Sequence, residues 1–167
     1  MSKSLLNQEH TTPALCGLLA NLLTKNGWML ATAESCTGGL IAAACTDLAG
    51  SSQWFERGFV SYSDKAKTQL LGVDAALIET DGAVSEAVAR AMASGAVSRS
   101  RAQISVAVTG IAGPGGGSPD KPVGTVWFGF MAGGRLTSEM KRFEGDRAAV
   151  RSATVQHALQ RLVELLA

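Results

Sequence analysis

Residues 34–39, Glu-Ser-Cys-Thr-Gly-Gly, set an acid, two hydroxyls and a thiol between two apolar runs. A hydroxyl where a strand passes into a helix meets unpaired backbone N–H groups and the positive end of the helix dipole. Ser35 could bind an anion there, or attack an electrophile with oxyanion donors beside it. The plain alternative is a helix cap, a service that Ser and Thr supply routinely. The stretch is neither a GxSxG elbow nor an SxxK motif. Cys36 reads as a small packing residue, because no histidine base accompanies it.

A serine nucleophile needs a base, and neither His10 nor His157 lies near such a stretch. Tyr62-Ser63-Asp64-Lys65-Ala66-Lys67 offers another. Two lysines two positions apart on a short helix point different ways, so one can enter a site while the other is solvated. Burial can lower a lysine from its ordinary pKa of about 10.4 towards neutrality and make it a base. Tyr62, the single tyrosine, could hold that lysine or relay a proton. The competing reading is a surface lysine pair beside a tyrosine at the edge of the core.

A third stretch, residues 110–122 (GIAGPGGGSPDKP), holds five glycines and three prolines in 13 positions. That density rules out regular structure and marks a functional or mobile loop. It matches neither GxGxxG nor a P-loop. Its glycines, Gly110 and Gly113 among them, let backbone amides approach a phosphate or carboxylate closely, next to the polar Thr109. Arg147 and Arg151, one turn apart near the C-terminus, could pair with a phosphate or form a solvated face. Glu34 could pair with a lysine or orient the serine's loop. Trp54-Phe55-Glu56-Arg57 reads as a loop anchor or an oligomer contact.

These stretches need elements to hold them. Thr11-Thr12-Pro13 opens a helix with Leu15, Leu18, Leu19, Leu22 and Leu23 on one face, ended by Asn26-Gly27. Residues 28–33 read as a strand and Gly38–Leu48 as an alanine-rich helix. Phe59–Tyr62 reads as a strand, and Asp64–Leu71 as a short helix capped by Ser63 or Asp64. A helix capped by Ser85 runs to about Ser98, and Ile104–Val108 is a buried strand. Val126–Met131 and Leu136–Phe143 form a hairpin across Gly133-Gly134. Asp146 caps a last helix whose apolar face is Val155, Leu159, Leu162, Val163 and Leu166. Strands alternate with helices, which predicts a single-domain α/β protein: a three-layer α/β/α sandwich on a mixed, mostly parallel sheet. Ligands gather at the carboxyl ends of such strands, where 34–39, 62–67 and 109–118 all fall.

The 167 residues fit one domain, with 46% hydrophobic and 17% charged residues supplying ample core. A formal net charge of +1 and a pI near 7.7 argue against a broad nucleic-acid footprint. No apolar run approaches the roughly 20 residues of a membrane span. Met1–Leu5 lacks signal-peptide character. Three cysteines, Cys16, Cys36 and Cys45, without CxxC spacing, and two histidines argue against a structural zinc site. The expectation is a reduced, cytoplasmic protein.

The motifs AESCTGGL, GSSQWFERGFVSYSDKAK, GAVSEAVA, VTGIAGPGGGSPDKPVGTVWFGF and the final GDRAAVR occur in one order. Together they resemble the CinA C-terminal domain family over roughly residues 12–165. The resemblance implies one such domain over 1–167 in its single-domain form, whose standalone members are nicotinamide-nucleotide amidohydrolases. It implies conversion of nicotinamide mononucleotide (NMN) and water to nicotinate mononucleotide and ammonia, in pyridine nucleotide salvage, with no metal or other cofactor. By motif, Ser35 corresponds to the family's proposed nucleophile, Lys67 rather than Lys65 to its lysine, Tyr62 to its tyrosine and Thr109 to its threonine. Amides near Cys36, Thr37 and Gly38 would hold the oxyanion. Thr109, Gly110, Gly113 and Arg147 would contact ribose or phosphate. Asp64 departs from the asparagine usual there, and its charge would tend to raise the pKa of Lys67. The family also implies a homo-oligomer, most simply a dimer. The other reading is a non-catalytic nucleotide-binding module linked to competence or DNA damage.

Overall fold

The computed structural model describes residues 10–167; the reading of Met1–Leu5 lies outside them. Helix α1 (Thr12–Asn26) starts as its sequence dictates, with the Thr11 side chain accepting from the Ala14 N–H and proline in the first turn. Gly27, at φ 64°, ends it. Strand β1 (Leu30–Glu34) follows, then α2 (Leu40–Thr46), a 3-10 turn at Ser51–Gln53, and β2 (Phe55–Val60). Helices α3 (Asp64–Leu71), α4 (Ala75–Asp81) and α5 (Glu86–Ser98) lead to β3 (Ile104–Gly110). The chain closes with the β4 (Thr125–Ala132), β5 (Arg135–Arg142) hairpin and α6 (Arg147–Leu166).

The sheet order is β2-β1-β3-β4-β5. Strands β2, β1 and β3 are parallel; β4 and β5 run antiparallel. Side chains alternate across each strand, so one face of the sheet differs from the other. Leu30, Ile104, Val106, Val108, Val126, Phe128 and Phe130 join the core under α1, α2 and α6. Ala31, Ala33 and Ala107 join the core under α3, α4 and α5. The small residues on that second face let helices sit close. Gly129 shows how close, since a Cβ there would fall 2.3 Å from the Ala89 carbonyl oxygen of α5. Ser105, buried on β3, is satisfied by donating to the Ala93 carbonyl at 2.7 Å. The expected three-layer architecture is therefore present in one domain. No helix among the described residues is long and apolar enough to cross a membrane.

Three local readings are corrected. The second strand begins at Phe55, not Phe59, so Phe55–Arg57, read with Trp54 as a loop anchor or an oligomer contact, is strand, and Trp54 before it is a core residue only 2% exposed. β2 is an edge strand with polar, exposed positions, so its sequence lacks the apolar signature of a buried one. Helix α2 starts at Leu40, not Gly38, because Gly38 and Gly39 take positive φ values of 58° and 107°. Helix α4, capped by the Asp74 side chain on the Ala76 N–H, was not anticipated.

Candidate active site

Because β1, β2 and β3 are parallel, their carboxyl ends finish on one side of the sheet. The segments that follow them meet around a cavity of about 270 Å³. Ser35, Tyr62, Lys67 and Thr109 all line it, with Asp64, Gly110, Gly113 and Arg147. Cys36 reaches it as well, whereas Thr37 and Gly38, next in the same turn, do not line it.

Helix α3 fixes the lysine. The Ser63 side chain caps it through the Ala66 N–H at 3.0 Å, and the first turn then points Lys65 outwards and Lys67 inwards. Lys67 is 1% exposed. Its Nζ lies 3.0 Å from Ser35 Oγ, 3.1 Å from the Ser61 carbonyl and 2.9 Å from the Tyr62 carbonyl. A neutral amine has two N–H bonds and one lone pair. The two carbonyls can take both hydrogens, which leaves the lone pair facing the Ser35 hydroxyl. Desolvation holds the Lys67 pKa below its ordinary value, opposed by the charge of Asp64.

The serine's own loop is held by Glu34. This carboxylate is fully buried and accepts from Thr37 Oγ1 at 2.6 Å, the Ile41 N–H at 2.8 Å and the Ala42 N–H at 3.0 Å. It thereby satisfies the start of α2, whose cap residue Gly39 has no side chain to do so. Glu34 therefore orients the loop, and pairs with no lysine among the described residues. Ser35 is thus freed from the capping role and turns towards Lys67. Burial pushes the Cys36 thiol up to about 11, so it stays protonated near neutral pH.

Arg147 bridges two walls, donating to the Gly113 carbonyl at 2.9 Å and to the Tyr62 hydroxyl at 3.3 Å. Tyr62 meets Lys67 through its backbone carbonyl, and its ring is largely exposed. Thr109 is 1% exposed and donates its hydroxyl hydrogen to the Ala83 carbonyl at 2.8 Å. Arg151 turns inward, contrary to a solvated face, with Nε 3.1 Å from the Cys36 carbonyl and Nη2 3.2 Å from the Thr37 carbonyl. Ala83 and Val84 also line the cavity, a contribution the sequence signalled only through the GAVSEAVA motif. Among the described residues, no cluster of three His, Cys, Asp or Glu side chains could hold a metal ion.

The chain is 55% identical over 139 residues to the nicotinamide-nucleotide amidohydrolase PncC of Enterobacter agglomerans, covering 83% of this chain and 85% of that protein. It is 54% identical over 147 residues to the nicotinamide-nucleotide amidohydrolase PncC of Pseudomonas putida, covering 88% and 92%. The crystal structure of competence/damage inducible protein CihA from Agrobacterium tumefaciens matches with a TM-score of 0.86 and 45% identity, covering 95% of this chain and 98% of that one. Residues 14–166 match the model of the CinA C-terminal domain, and the chain belongs to that family.

Proposed function

We propose that this protein hydrolyses the carboxamide of NMN to nicotinate mononucleotide and ammonia, in pyridine nucleotide salvage. The names of the relatives at 54–55% identity support the reaction. The observation that carries the mechanism is the 3.0 Å approach of a buried lysine amine to a serine hydroxyl at the cavity wall.

Ser35 Oγ attacks the carboxamide carbon as Lys67 Nζ takes its proton. The carbonyl π electrons move onto oxygen, and backbone amides at Cys36 and Thr37 receive that charge. The Gly38 N–H is already bonded to the Ser35 carbonyl at 3.0 Å, so it braces the turn instead. Collapse breaks the carbon–nitrogen bond, and Lys67 returns its proton to the departing ammonia. Water then attacks the acyl-enzyme by the same proton route, releasing nicotinate mononucleotide and restoring Ser35. The pyridinium charge makes the carboxamide carbon more electrophilic, which lowers the demand on the base. Tyr62 holds Lys67 through its carbonyl. Arg147, with the loop at Gly110 and Gly113, grips the phosphate or ribose, and Thr109 ties that wall to Ala83.

Ammonia release from NMN by the purified protein tests the reading, alongside Ser35→Ala and Lys67→Ala. Each variant is expected to lose about 10³-fold or more in kcat. Near-normal turnover by either would end the assignment. Nucleotide binding without turnover by the unaltered protein would favour a non-catalytic module.

A further inference from the structure

We propose that Arg151 is a positioning residue that sets the Thr37 oxyanion donor and braces the turn of the Ser35 loop from α6. The inference rests on the amidase reading above. Arg147 lines the cavity; Arg151, one turn further along α6, does not. Its guanidinium instead donates to two consecutive carbonyls, Cys36 at 3.1 Å and Thr37 at 3.2 Å. The Thr37 carbonyl also accepts the Leu40 N–H at 3.1 Å. Among the described residues no carboxylate pairs with Arg151, so its charge is directed at these two peptides.

A trans peptide is planar, with its C=O and the following N–H pointing in opposite directions. Drawing the Cys36 carbonyl towards α6 turns the Thr37 N–H away from α6. Drawing the Thr37 carbonyl the same way turns the Gly38 N–H away, and that N–H is found on the Ser35 carbonyl. One cation therefore sets two successive peptides: the Thr37 N–H is turned away from α6, and the Gly38 N–H is held on the Ser35 carbonyl, where it braces the turn. The guanidinium also lies against Gly38, where a Cβ would come 3.5 Å from Nη2. A positive charge on the carbonyl end polarises each peptide and strengthens its N–H as a donor. The effect is largest where negative charge develops, which is the transition state rather than bound substrate.

The test measures kcat, KM and the pH profile of NMN-dependent ammonia release for the unaltered protein, Arg151→Met and Arg151→Lys. Arg151→Met is expected to lower kcat by about 10²-fold, with KM within about threefold. Arg151→Lys, which keeps the charge but loses the two-pronged donor, should recover part of that loss. The acid limb of kcat/KM, which reports Lys67, should stay where it is in the unaltered protein. A collapsed site would move kcat, KM and that limb together, and would overturn the proposal. So would unchanged kcat in Arg151→Met, or a raised KM with kcat kept, which would make Arg151 a phosphate ligand. If Arg151→Met does not fold, the same split in Arg151→Lys decides. An unaltered protein that releases no ammonia overturns the amidase reading, and this inference with it; an active one with an indifferent Arg151 overturns this inference alone.

Discussion

Lys67 Nζ and Ser35 Oγ lie 3.0 Å apart although 32 positions separate them in the chain. The contact is buried, and the two carbonyls that hold the amine come from the two residues that follow β2, between these residues in the chain.

That burial predicts a pH signature. The folded pKa of Lys67 lies below its ordinary value, so between the two values the unfolded chain carries a proton that the folded chain lacks. Stability should therefore rise with pH across that window. Urea denaturation of the unaltered protein and of Lys67→Met at several pH values between 7 and 10 checks this. The difference in unfolding free energy between them should shift with pH in favour of the unaltered protein; parallel curves would contradict it. Activity should climb with pH until Lys67 deprotonates, short of the ordinary lysine range.

Asp64 opposes the same shift. Replacing it with the neutral, nearly isosteric asparagine should move the acid limb of kcat/KM to lower pH. Because Asp64 is exposed, added salt should shrink the difference between the two proteins. pH–rate profiles at low and high ionic strength read both effects, and a limb that moves to higher pH would be the wrong sign.

Glu34 joins three donors, of which Thr37 Oγ1 and the Ile41 N–H are buried and the Ala42 N–H is partly so. Glu34→Ala should cost about 3 kcal/mol, or a fall in Tm of roughly 5–10 °C. Glu34→Gln, which keeps an acceptor oxygen, should fall between. Calorimetry measures both, and a variant that melts with the unaltered protein would show that the loop holds itself.

Cys36 lines the cavity but is held protonated by burial. Cys36→Ala should keep kcat within about tenfold, and iodoacetamide at pH 8 should leave the native protein active. Rapid loss of turnover with labelling at Cys36 would make the thiol a participant.

The legible parts of the fold are those where one residue type answers one local demand. Thr11 with Pro13 and Gly27 at its two ends fixes α1, and the alternation around Ile104–Val108 fixes a strand buried on both faces. Phe55–Arg57 was illegible as strand, because an edge strand need not be apolar. The same holds within the site. Spacing on a short helix says that two lysines point different ways without saying which turns inward, and a serine between strand and helix is a candidate for cap or nucleophile alike. Local sequence could not choose between those roles, since both use the same hydroxyl.

The sequence by itself determined the elements other than α4 and the first half of β2, their alternation and the family, because periodicity, caps and ordered motifs are properties of neighbouring residues. The tertiary structure decided which polar groups face one another. Glu34 takes over the helix start and releases Ser35; Arg151 reaches back from α6 to the carbonyls of Cys36 and Thr37. Those partnerships depend on parallel strands ending together and on a helix crossing behind them, distances that no local pattern encodes.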